Sequence, residues 1–111
     1  MGRRVLCFFL GFVLLVTCSS IIPKLMQQDV VKGKSLYPDL TLEQLTTGRT
    51  VYINHCGSCH QLYIPARVPQ KKWDLHLVPM AKLSKLDSIS TEKLTRYIRV
   101  AIFVDTTVVQ N

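Results

Sequence analysis

Apolar side chains are distributed along this chain with two different rhythms. From Val5 to Val16 the run VLCFFLGFVLLV carries no charged position. Such a segment has no polar face to turn outward, unlike a surface helix of a globular protein. From residue 40 onward the pattern becomes periodic. In LTLEQLTTGRTVYINHC, Leu45, Gly48 and Tyr52 recur at steps of three and four, one face of a helix. Thr41 with Gln44 three residues on forms a capping box at its start, and Leu40 with Leu45 forms a hydrophobic staple. Gly48 costs such a helix about 1 kcal/mol against Ala. Its presence predicts a second helix crossing close by. ISTEKLTRYIRVAIF supplies one, with Leu94, Tyr97, Ile98, Ala101 and Ile102 on a single stripe. Ser90 is the predicted cap of that helix, Glu92 sits in its first turn, and Ile89 with Leu94 is the predicted staple. Tyr97 is expected to lie over Gly48.

Between these helices Pro65, Pro69 and Pro79 cut the chain into short pieces. Gln70 to Val78 is predicted as a short helix with Trp73 and Leu77 on one side. Pro79 should end or kink it, since proline lacks the amide hydrogen and clashes with the preceding turn. Met80 follows directly, and a second short helix is expected over Ala81 to Leu86. Residues 23–40 mix Pro, Gly and polar positions without a period and read as a linker. The expected organisation is an export segment over residues 1–17, an anchor cysteine and linker over 18–40, an all-α domain over 41–104 and a tail over 105–111.

The short cationic start Arg3-Arg4 before the apolar run is the pattern of a secretory signal. The run ends in LLVTCSS, which resembles a bacterial lipoprotein signal, with Cys18 as the residue that would be lipidated and Thr17 where Gly or Ala usually stands. An uncleaved anchor is the alternative, since Val5 to Ile22 is 18 residues, near the lower limit of roughly 17 for a spanning helix. All these readings place the remainder on the outer side of a bacterial membrane, in the periplasm or at the surface. The formal net charge is +7, and loss of residues 1–17 removes Arg3 and Arg4 and leaves +5. There is no basic run and no reader motif, so nucleic acid is not an expected partner. A mildly basic face instead suits an acidic protein partner.

The chemistry concentrates in HCGSCHQLY, where Cys56, Cys59 and His60 fall within five positions. Two helices and proline-cut connections make a small core, and domains of that size usually need a metal, a disulfide or a cofactor. A structural zinc site wants four ligands in two pairs, and the other cysteines, Cys7 and Cys18, lie in the export segment. A thioredoxin-like dithiol expects a βαβ setting, and no strand pattern precedes Cys56. C-x-x-C-H accounts for all three residues as an attachment site for c-type haem. Two thiols three apart reach neighbouring vinyl groups, and the next residue, His60, then lies beneath the iron.

On these residues the chain resembles a small bacterial monohaem cytochrome c. The resemblance runs over residues 48–101, through GRTVYINHCGSCHQLYIP, then Trp73, then Met80, then EKLTRYI. Pro79 stands directly before Met80, one residue later than in the family pattern. The resemblance implies an all-α cytochrome c fold around one covalent haem, with His60 and Met80 as axial ligands. It implies one-electron transfer with redox proteins as partners, no small-molecule substrate and no catalytic residue, the chain being a carrier or the cytochrome subunit of an exported oxidoreductase. His76, one turn before Met80, is the rival sixth ligand. An open or His76-ligated position would instead suit a haem sensor or ligand-binding protein. Trp73 either packs on the haem edge and reaches a propionate or is ordinary core, and Arg67 either pairs with a propionate or is solvated. A carbonyl near Pro65 is expected to hold the second nitrogen of His60.

Overall fold

The computed structural model describes residues 21–108, and within them all regular structure is helical. The expected export segment and Cys18 lie outside the described residues. Four α-helices follow one another: α1 (Gln27–Gly33), α2 (Leu42–Val51), α3 (Gln70–Leu83) and α4 (Ser88–Val108). α2 runs on through a π-helical turn, Tyr52–Cys56, and a single 3-10 turn, Pro65–Arg67, precedes α3. No helix among the described residues is long and apolar enough to cross a membrane.

α2 and α4 form the centre. Thr41 caps α2 as its sequence predicts: its hydroxyl accepts from the Gln44 N–H, and the Gln44 side chain accepts from the Thr41 N–H, both at 3.2 Å. The two helices cross at Gly48. A methyl group there would lie 2.7 Å from the Cβ of Tyr97 and would press into the Lys93 carbonyl, so only glycine permits this approach. Leu45, Tyr52, Leu94, Tyr97, Ile98 and Ala101 are all buried at or around the crossing.

Several expectations are corrected. Residues 23–40 are not a linker. α1 forms there, and Ile22, Leu25, Val30 and Leu40 are all buried in the same core as the crossing helices. The segment works as a strap. The Asp29 carboxylate accepts from the Met26 N–H at the start of α1. Gly33 and Leu40 come against Val100, on a side of α4 away from its predicted stripe, and Val100 is fully buried as a result. Arg49 donates to the Ile22 carbonyl, at 3.0 Å through Nη2, and the Tyr97 hydroxyl donates to the Pro23 carbonyl at 2.6 Å.

Pro79 does not end its helix. α3 is continuous from Gln70 to Leu83 with Pro79 inside it. Trp73, Leu77 and Ala81 are buried at steps of four on either side of the proline. Proline removes one intrahelical hydrogen bond, and burial of that stripe carries the helix past the gap.

α4 is capped by Asp87 and not by Ser90. The Asp87 carboxylate accepts from the Ser90 N–H at 2.7 Å, so Ser90 lies within the first turn. Ile89 is exposed and forms no staple. The helix also continues to Val108, into the stretch expected to be a tail.

Candidate functional site

The cleft lies where α2 hands over to the connection before α3. The π-helical turn brings Cys56 to the cleft wall, half-buried, while Cys59 is exposed. Such wide turns are rare and concentrate at functional sites. Gly57 follows because a Cβ there would lie 2.7 Å from the Ile53 carbonyl.

Two aromatic side chains hold the connection in place. The Tyr52 hydroxyl donates to the Tyr63 carbonyl at 2.8 Å and accepts from the Tyr63 N–H at 3.1 Å. Burial pushes the Tyr52 hydroxyl up to about 12, so it stays protonated and able to donate. The Trp73 indole N–H donates to the Pro65 carbonyl at 3.0 Å. The rings of Tyr52 and Trp73 meet edge to face with centroids 6.0 Å apart.

The cleft encloses about 260 Å³. That is near the lower end for a small-molecule site. Cys56 lines it from the π-helical turn and His60 from the turn just after, His76 and Met80 from α3. Tyr52, Val68, Trp73, Leu77 and Leu94 make the rest of the wall mostly apolar. Met80 is more than a third exposed, at 37%.

His60 Nδ1 lies 2.8 Å from the Gln61 carbonyl. A carbonyl can only accept, so Nδ1 carries the proton and the lone pair of the neutral ring sits on Nε2. The carbonyl expected from Pro65 is taken by Trp73 instead, and Gln61 provides it. The Trp73 N–H is likewise spent on Pro65 and not directed toward the cleft, while its ring forms part of the wall. Arg67 is exposed and His55 faces solvent.

Sequence reasoning passed over Tyr63, Val68 and Lys72, which also line the cleft. A Tyr four residues after a C-x-x-C is a weak signal. Its importance comes from its backbone, which Tyr52 grips.

The donor set separates the candidate chemistries. Among the described residues no three His, Cys, Asp or Glu side chains gather closely enough to hold a metal ion, which leaves zinc without a ligand set. Cys56 and Cys59 are free thiols. Burial pushes the Cys56 thiol up, and Cys59 beside it adds to the effect. A reactive dithiol needs the opposite shift. A covalent haem asks for two thiols at this spacing, one imidazole with an available Nε2, one soft sulfur ligand and apolar walls. Cys56, His60 and Met80 at the cleft fit that group, with Cys59 exposed three residues after Cys56 and outside the cleft lining. Compared with family models, curated proteins and solved structures, the chain matches none.

Proposed function

We propose that the protein is an exported c-type cytochrome, tethered by its N-terminus to the outer side of a bacterial membrane, that passes single electrons between redox proteins. One observation carries this reading. The cleft gathers Cys56 from the π-helical turn, His60 from the turn just after it and Met80 from α3, 20 residues beyond His60 in sequence, around an apolar wall. Cys56 and Cys59 would hold the cofactor through thioether bonds to its two vinyl groups. His60 offers Nε2 to the metal, with Nδ1 kept protonated by the Gln61 carbonyl; such a contact orients the ligand and raises its basicity. Met80 offers a thioether from α3, and Tyr52 and Trp73 keep the loop between the ligands closed. Haem bound there supplies an iron that cycles between ferric and ferrous forms, and His/Met ligation favours the ferrous form relative to two histidines. The all-α build with its α2–α4 crossing is the kind of scaffold a cytochrome c fold would use to hold the cofactor.

His76 lines the same cleft one turn before Met80, which gives a second reading: a His76-ligated or open sixth position and a role in ligand binding. The near-infrared spectrum of the oxidised protein, made in an exporting host that attaches haem, decides between them. Ferric iron with methionine sulfur bound shows a weak charge-transfer band. A band that is lost in Met80→Ala and kept in His76→Ala supports electron transfer. Its absence from the native protein overturns Met80 ligation.

A further inference from the structure

α3 has a second apolar stripe that the core does not use. Trp73, Leu77 and Ala81 face inward, while Leu75, Val78 and Leu83 are 61%, 63% and 84% exposed on the outward side. Lys71 and Lys82 project between Leu75 and Val78 on this same outward side, at 100° per residue, and are exposed. Residues 67–85 hold five basic side chains, Arg67, Lys71, Lys72, Lys82 and Lys85, against one acid, Asp74. Asp74 is occupied by Arg99 at 3.0 Å and by Gln70 at 2.9 Å. The outward face therefore interleaves apolar side chains with lysines, and its one nearby acid is paired. Apolar side chains set among lysines suit contact with an anionic lipid interface. At 14 residues α3 is too short to cross the bilayer.

The strap makes this face relevant to a membrane. Only Ser19, Ser20 and Ile21 separate Cys18 from the buried Ile22. Four residue steps reach at most about 14 Å, so the domain has no long tether. Ile21 also lies beside Ile64 and Ala66, at the turn that leads into α3.

We propose that the outward face of α3, centred on Leu75, Val78 and Leu83, rests on the anionic lipid surface to which the N-terminus is anchored. This rests on the membrane-tether reading above. His76 and Met80 stand one residue along from Leu75 and Pro79, about 100° round the helix. The cleft then opens sideways, along the membrane plane, toward partners that are themselves held at the membrane.

The test places benzoylphenylalanine at position 83, and separately at exposed Thr46 on α2, in the full haem-loaded chain reconstituted into phosphatidylglycerol–phosphatidylcholine vesicles. Illumination is followed by mass spectrometry of the adducts. Lipid adducts at 83 at least about fivefold above those at 46, reduced in Lys71→Glu/Lys82→Glu, are expected; loss of one lysine near an anionic surface weakens contact about fivefold. Equal lipid adducts at the two positions overturn the proposal, as does a dominant adduct to a second copy of the chain. Flotation in high salt is scored separately. A chain that fails to float refutes the tether reading itself, whereas one that floats with position 83 unlabelled by lipid refutes only the α3 contact.

Discussion

The two sides of this molecule are held together differently. On one side α2 and α4 cross at a glycine, and residues 22–40 strap over them, leaving Val30, Val100 and Tyr97 without solvent contact. On the other side residues 57–69 are pinned by hydrogen bonds from Tyr52 and Trp73, with Leu62, Pro65 and Val68 packed on the core, and Cys59, His60 and Met80 remain exposed. The first side is packed by its own side chains. The second has its ligand-type groups arranged around space. A scaffold that is complete behind a cleft can present reactive groups without depending on them for its own packing.

The largest expected effect breaks the closed side at its tightest point. Gly48→Ala places a methyl group 2.7 Å from the Tyr97 Cβ and against the Lys93 backbone, which cannot swing away as a side-chain end would. Overpacking of this kind costs about 3 kcal/mol. Urea unfolding of the purified protein measures it, and a loss below about 0.5 kcal/mol would show that the helices separate easily. The strap is tested next. Val30→Ala removes two buried methyl groups and is expected to cost about 2 kcal/mol. A true linker would show no change. Thr41→Ala removes the cap of α2 and is expected to cost about 1 kcal/mol. On the open side, Met80→Ala in the chain without cofactor is expected to shift stability by less than about 0.5 kcal/mol, because the side chain lines an open cleft and is not part of the buried core. A large loss there would make Met80 a core residue.

The same contrast explains what the sequence discloses. Thr41 with Gln44, and Gly48 under Tyr97, are legible because each is a local rule: a spacing of three, or a costly glycine on an apolar stripe. The strap is not, because Ile22, Leu25, Val30 and Leu40 follow no constant period; each is buried by what it meets in space. Val100 stayed hidden for the same reason, since only the strap covers that side of α4. Pro79 misleads because a single lost hydrogen bond weighs less than burial of Trp73, Leu77 and Ala81 around it. At the site, C-x-x-C-H and Met80 stand out as strings. The π-helical turn that brings Cys56 to the cleft, and the choice of Gln61 over Pro65 as the carbonyl for His60, depend on how the chain closes after Tyr52.

The smallest expected effect concerns the cap of α4, where Asp87 and Ser90 compete as readings. The hydrogen bond from the Ser90 N–H holds the Asp87 carboxyl below its ordinary value of 3.8. Arg96 does the same for Asp39 on the strap. A carboxylate whose pKa is lower in the folded chain contributes stability above its unfolded value, and that contribution is lost as the pH falls through the folded value. Folding is thus expected to weaken only below about pH 4 on account of these two groups. Asp87→Asn keeps a side chain that can cap but removes its titration. Its stability measured between pH 6 and pH 2 is expected to fall less steeply than that of the native chain. Asp39→Asn is expected to flatten the same limb independently, since the two carboxylates sit on different elements and share no partner. If Asp87→Asn leaves the acid limb unchanged while Ser90→Ala lowers stability evenly across it, the cap belongs to Ser90 and α4 starts three residues later than its backbone indicates.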